Sequence, residues 1–261
     1  MALNLQGKTI LVTGASSGLG LALSRLLAEE NVNLALLARR DDVLRRTAAE
    51  LQHSGSAVLP VKCDVSKREE IQAAYREVRS RFGGVDIAIL NAGVSGRGGM
   101  NLFDVGAART MFDVNVFGVV DFLGELLPDF KKRGSGTIVG VSSLSDSRAV
   151  PRNGFYCASK SAVSLILDAL RIELKPRGIK VVTVKPGFVK TPMTDGNDFK
   201  MPFIVSAEKA AAVIVKGLKK EKTYIRFPFL MRVSAWVLKL MPNFLYEIFA
   251  ARVKSGAENK K

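Results

Sequence analysis

The feature that most narrows the folds open to this chain is Thr13-Gly14-Ala15-Ser16-Ser17-Gly18-Leu19-Gly20, which follows the apolar run Lys8–Thr13 and opens an amphipathic stretch, Gly18–Glu30. A short aliphatic run that gives way to a helix through closely spaced glycines reads as a buried strand turning back over its sheet. Glycine permits so tight a turn and so close an approach to the neighbouring backbone. The first turn of such a helix aims free N–H groups and the positive end of its dipole at the turn, where a pyrophosphate can sit.

The same alternation continues down the chain. Strands are expected at Asn33–Ala38, Ala57–Lys62, Val85–Leu90, Thr137–Val141, Lys180–Lys185 and Thr223–Phe227, each short and not strictly alternating, as in strands covered on both faces. Helices are expected at Asp41–His53, Ser66–Phe82, Tyr156–Lys175 and Ser206–Lys219, the second opened by a capping box of Ser66 and Glu69. Strand-helix alternation predicts an α/β fold of three layers, α/β/α, around a doubly wound parallel sheet of about seven strands. With 261 residues, no internal repeat and no low-complexity linker, one domain suffices. The expected organisation is a dinucleotide-binding and catalytic domain at 1–227, an amphipathic extension at 228–253 and a disordered tail at 254–261.

The second strand ends Leu36-Leu37-Ala38-Arg39-Arg40, with no carboxylate where an acidic side chain would grip a ribose 2′-hydroxyl and repel a 2′-phosphate. A guanidinium holds a phosphate through paired, charge-assisted hydrogen bonds, so NADP is the expected cofactor, with Arg39 as phosphate ligand and Ser16 as helper. Further on, Val141-Ser142-Ser143 ends a strand and Tyr156 and Lys160 stand at i and i+4, on one helix face. An ordinary phenol, with a pKa near 10, is a poor acid-base group at neutral pH, and a neighbouring ammonium is expected to lower it.

These motifs, in this order, resemble those of the short-chain dehydrogenase/reductase family over residues 7 to about 195, and the resemblance implies a Rossmann-like fold. It implies cofactor contacts from Gly14, Ser16, Ser17, Gly18, Leu19 and Gly20, and from Asp64 and Val65 beside the adenine. It implies further contacts from Asn91, Ala92 and Gly93, and from Pro186, Gly187, Val189 and Thr191 along the nicotinamide. Tyr156 would be the proton donor in reduction and acceptor in oxidation, and Lys160 would tune it and hold the nicotinamide ribose. Ser143, thirteen residues before the tyrosine, would bind the substrate oxygen. Asn115 would complete a catalytic tetrad by holding a helix bend and a proton-relay water. Members of the family usually pair through the helices after the fourth and fifth strands, which implies a homo-oligomer.

The net charge of +15 suits any anionic partner, but the Lys and Arg residues are dispersed and no nucleic-acid motif accompanies them, so no nucleic-acid partner is expected. Cys63 and Cys157 have no paired spacing, His53 is the only histidine and reads as a helix-end residue, and no metal site is expected. Cys157, beside the tyrosine, reads as a small packed hydrophobe rather than a redox thiol. Neither a signal peptide nor a run of roughly 18 to 20 apolar residues is visible, and a cytoplasmic location is expected.

Past the motifs, Leu230, Val233, Trp236, Val237, Leu240 and Met241 recur at helical spacing, Pro242 interrupts, and Phe244, Leu245, Ile248 and Phe249 resume the stripe. These two short helices either pack on the protein's own core or a partner subunit, or lie on a membrane surface or over an apolar substrate channel. The loops Val94–Asp104 and Thr191–Pro202, with Met100, Phe199, Met201 and Phe203, suggest an apolar pocket and a lipid-like ketone or secondary alcohol. The rival readings are a steroid-type or 3-oxoacyl reductase of the same fold and a non-catalytic NADP-binding scaffold.

Overall fold

The computed structural model describes residues 3–52, 55–96, 103–195, 201–248 and 250. Met100, Phe199, His53, Phe249 and the expected tail at 254–261 lie outside them.

Seven strands form one parallel sheet: β1 (Thr9–Thr13), β2 (Asn33–Ala38), β3 (Ala57–Lys62), β4 (Ile87–Leu90), β5 (Gly136–Val141), β6 (Ile179–Pro186) and β9 (Tyr224–Phe227). Their order is β3-β2-β1-β4-β5-β6-β9, and a separate pair joins β7 (Val189–Lys190) to β8 (Val205–Ser206). The strand order reverses between β1 and β4, and the crevice beyond their carboxyl ends is where doubly wound sheets bind ligands.

Both faces of the sheet are covered. Ile10, Val12, Leu34 and Leu36 pack toward α1 (Gly18–Ala28), α2 (Asp41–Leu51) and α7 (Ala207–Lys219), whereas Leu11, Ala35 and Leu37 join the core under α3 (Arg68–Phe82), α5 (Gly118–Arg133) and α6 (Gly154–Leu174). The period of two along each strand therefore feeds two cores at once. Every such aliphatic side chain adds about 1.5–3 kcal/mol when fully buried. Gly140 on β5 fixes how closely α6 lies: a methyl group there would stand 2.3 Å from Leu167 Cδ1.

Two local expectations change. Ser66 does not cap α3, which begins at Arg68 with Lys67 ahead of it and no side-chain cap. The Ser66 hydroxyl is drawn instead to Asp64 Oδ1 at 2.8 Å, and it is Glu70 rather than Glu69 that turns back, accepting the Asp64 N–H at 2.8 Å. The shorter Ser–Asp link outcompetes the cap. The second change is a pair of helices absent from the strand-helix pattern above: α4 (Val105–Phe112) runs through a π-turn at Asp113–Phe117 into α5. An extra residue per turn is a common device at functional sites.

Past β9 the chain forms α8 (Phe229–Leu240), after which residues 243–248 are again helical. No residue of α8 is buried. No described helix is long and apolar enough to cross a membrane.

Candidate active site

At the carboxyl end of β1, Gly14 has φ +69°, a left-handed conformation that only glycine adopts freely. One turn into α1, a methyl group on Gly20 would lie 2.2 Å from the Gly14 carbonyl oxygen. Ser17 precedes α1 in extended conformation and supplies no side-chain cap, which leaves the first N–H groups of α1 to a ligand. Thr191 stands against this turn, its Cβ 3.0 Å from the position a Gly18 side chain would take. Val189, in the short β7 strand, is buried, and the Gly187 N–H donates to Phe227 O at 2.8 Å. The turn and Thr191 thus border one crevice, with free donors and a close backbone approach that suit a pyrophosphate, while Gly187 lies against Met231 and Pro228.

Asn91 has a bracing part. Its side-chain Nδ2 donates to Thr13 O at 2.9 Å, while its own N–H and that of Ala92 both reach Thr13 Oγ1 at 2.9 Å. This ties β4 to β1 across the switch point. Asp64 accepts both the N–H and the hydroxyl of Ser66, and although burial pushes its pKa up, those bonds and Arg39 hold the carboxyl below its ordinary value.

Beyond β2 the two arginines make different contacts. Arg39 Nη1 points to Asp64 Oδ2 at 4.0 Å, whereas Arg40 Nη2 donates to Ser16 Oγ at 3.0 Å and to Ser16 O at 3.2 Å. Arg40 is therefore the guanidinium held against the glycine turn. Spacing could not separate adjacent arginines; Asp64, arriving from β3, does so by attracting the nearer one.

The second half of the site hangs on β5 and α6. Ser142 is fully buried and donates to Lys160 O at 2.9 Å, so it braces α6. The Ser143 hydroxyl accepts the Ser145 N–H at 3.1 Å, and Ser143 lies near enough to the Tyr156 phenol to draw its pKa down. Lys160 is only 5 % exposed; its Nζ lies 5.8 Å from the centroid of the Tyr156 ring and donates to Val141 O at 3.0 Å. Asn115, at the π-turn, accepts the Val94 N–H at 2.8 Å and donates through Nδ2 to Val94 O at 2.9 Å and Ser159 Oγ at 3.0 Å. A methyl group on Gly93 would stand 3.2 Å from both Asn115 Oδ1 and Lys160 Nζ, so these two polar groups meet just past the end of β4.

Burial works against the lowering expected for the tyrosine pKa. Burial pushes the Tyr156 phenol up to about 12, against the opposing pull of the Ser143 hydrogen bond. Burial also brings Lys160 down to about 8, which weakens the cation that was to stabilise a phenolate. At neutral pH the phenol keeps its proton and the amine its charge. Cys157 is buried and its thiol is pushed up by burial, consistent with a packed hydrophobe.

An α/β sheet with a glycine turn at the switch point and a phenol, hydroxyl and ammonium beside it defines a dinucleotide-binding oxidoreductase. The family model described as short chain dehydrogenase matches residues 8–201, and the chain belongs to that family. An uncharacterized oxidoreductase of Myxococcus xanthus is 35% identical over 247 residues, covering 95% of this chain and 98% of its own. An alcohol dehydrogenase from the archaeon Thermococcus sibiricus, solved with 5-hydroxy-NADP, superimposes with a TM-score of 0.77 at 29% identity, over 85% of this chain and 96% of that one. A 3-ketoacyl-(acyl-carrier-protein) reductase from Brucella melitensis, solved with NADH, gives 0.78 at 28% identity, over 85% and 97%.

Proposed function

We propose that this protein is an NADPH-dependent carbonyl reductase that interconverts a ketone and a secondary alcohol on an apolar, lipid-like substrate. The observation that supports the reading is the meeting of Lys160 and Asn115 beside Gly93, with the Tyr156 ring 5.8 Å from Lys160 Nζ, together with the Arg40 guanidinium docked on Ser16.

When bound, the cofactor supplies a hydride to the carbonyl carbon. Ser143 and Tyr156 present two hydroxyls to the substrate oxygen, fixing its position and stabilising the negative charge that develops there. Tyr156, protonated at neutral pH, hands its proton to that oxygen, and Lys160 as ammonium offsets the phenolate left behind. Asn115 is a positioning residue: it locks the π-turn to Val94 and to Ser159 in the second turn of α6. Gly14 to Gly20, Asp64, Val65, Asn91 to Gly93, Pro186, Gly187, Val189 and Thr191 would line the dinucleotide. Arg40, seconded by Ser16, would hold the 2′-phosphate, and Arg39 would lie beside Asp64.

Apolar substrate is supported by exposed Phe203 and by Phe103, which meets Phe155 edge-on at 5.2 Å next to Tyr156. The likeness to a 3-ketoacyl reductase favours a second reading, in which the ketone is a 3-oxoacyl thioester. The two separate in one assay: consumption of NADPH with long-chain ketones against an acetoacetyl thioester. Turnover of neither, with a biological effect that survives Tyr156→Phe, would leave a non-catalytic scaffold. The reading includes self-pairing through α5 and α6, whose Val120, Leu165 and Ile172 are exposed, as is Phe117 at the end of the π-turn; light scattering of a Leu165→Asp/Ile172→Asp variant tests it, a monomer being expected.

A further inference from the structure

α8 presents three distinct faces. Met231, Ala235 and Leu238 turn inward, and Met231 reaches Gly187, where a methyl group would meet its sulfur at 2.4 Å. Phe229, Leu230, Val233, Trp236, Val237 and Leu240 turn outward, with Phe229, Trp236 and Leu240 each at least 60 % exposed. Phe244, Leu245 and Ile248 extend the same exposed set. Between the two faces lie Arg232 and Lys239, which, with Arg226 and Lys185 from the sheet edge, border a cleft of about 390 Å³. Asp146 pairs with Lys185 at 2.5 Å. Among the described residues, Arg226, Arg232 and Lys239 have no carboxylate partner, and α8 contains no acidic residue.

We infer that α8 and the helical residues after it form a docking face for an anionic lipid bilayer, with Arg226, Arg232 and Lys239 receiving the phosphate headgroups. Arg226 and Arg232 lie over the Tyr224 and Phe229 rings, at 4.5 and 4.9 Å, which leaves their charge without a carboxylate, and an exposed aromatic and aliphatic stripe flanked by such cations is complementary to the boundary between acyl chains and anionic headgroups. A second copy of the chain is a poorer occupant, because a two-fold pairing on this face would set the same three cations against one another.

The face is firmly joined to the candidate active site. Arg148, five residues beyond Ser143, donates to Leu238 O at 3.1 Å, to Asn243 Oδ1 at 2.7 Å and to Met241 O, and its guanidinium lies over the Tyr246 ring at 4.8 Å. Tyr246 donates in turn to Ala149 O. Resting on the proposed reductase reading, this places the mouth of the site against the bilayer, so that an apolar ketone enters from the lipid.

The test uses the full chain and vesicles of phosphatidylcholine, with and without phosphatidylglycerol. Co-sedimentation is expected only with the anionic vesicles, accompanied by a blue shift of emission from Trp236, the chain's single tryptophan. Arg226→Gln/Arg232→Gln should weaken partition by roughly fivefold per cation removed. Trp236→Glu and, independently, Leu240→Glu should abolish it, thermal melting confirming that each variant is folded. Equal partition with both vesicle types, partition indifferent to all these variants, or self-association through this face that Trp236→Glu dissolves would each overturn the inference. Tyr156→Phe must bind vesicles like the parent, so loss of the reductase reading and loss of the membrane reading give different results.

Discussion

Helices α6 and α8 are both strongly apolar, yet they use their side chains in opposite ways. α6 buries Val163, Leu167 and Leu174 under the sheet, and its close seat on Gly140 sets where Tyr156 and Lys160 stand. α8 buries none of its residues and is held by its Met231 edge and by Arg148 at its carboxyl end. The contrast teaches that apolar periodicity marks a helix face without saying what covers it. Chemistry that depends on sub-ångström placement sits on the helix gripped by the core; the helix left outside is free to meet another phase.

The sharpest way to break this comparison is to remove the phenolic hydroxyl that α6 delivers. Tyr156→Phe should lower kcat for ketone reduction by about 10²–10⁴-fold with an unchanged melting temperature, as expected for a lost general acid. A fall of less than tenfold in steady-state assays would dissociate α6 from the chemistry. Next in size, Leu167→Ala should cost about 2–5 kcal/mol in urea unfolding, because its neighbours on β5 cannot follow it into the gap. Trp236→Ala on α8 should stay within about 0.5 kcal/mol of the parent in the same experiment.

Between these extremes, Arg40→Ala should weaken NADPH binding by roughly 10- to 100-fold, the range of charge-assisted hydrogen bonds, and leave NADH binding alone. Calorimetric titration of both cofactors, with Arg39→Ala alongside, decides which arginine acts; a larger effect at Arg39 would reverse the assignment. The mildest effect is on pH dependence. Lys160 is charged below its lowered pKa of about 8 and neutral above it, while Tyr156 keeps its proton up to about 12. Reduction should therefore hold level up to about pH 8 and decline above it, and a profile level to pH 10 would show that the amine's charge does not matter.

Much of the site was legible before any coordinates. The glycine turn, Asn91-Ala92-Gly93, Ser143, Tyr156 and Lys160 lie at strand ends or one helical turn apart, and local spacing is enough to bring such residues to one crevice. Ser142, the neighbouring hydroxyl, is taken up by the α6 backbone. What spacing could not reach were competitions between side chains distant in sequence. Asp64 draws Arg39 away and leaves Arg40 for Ser16; Asp64 likewise takes the Ser66 hydroxyl that a capping box required. The tyrosine's pKa followed from desolvation, which depends on everything packed around it, rather than from its i+4 partner.

By itself the amino-acid sequence determined the parallel α/β architecture and the family, because strand hydrophobicity, glycine turns and i, i+4 pairs are properties of neighbouring residues. Only the tertiary structure decided which arginine faces the glycine turn, how far burial lifts the phenol, and that the last helices keep their apolar face outward. Each of those depends on contacts between segments far apart in the chain, and such contacts exist only once the chain has folded.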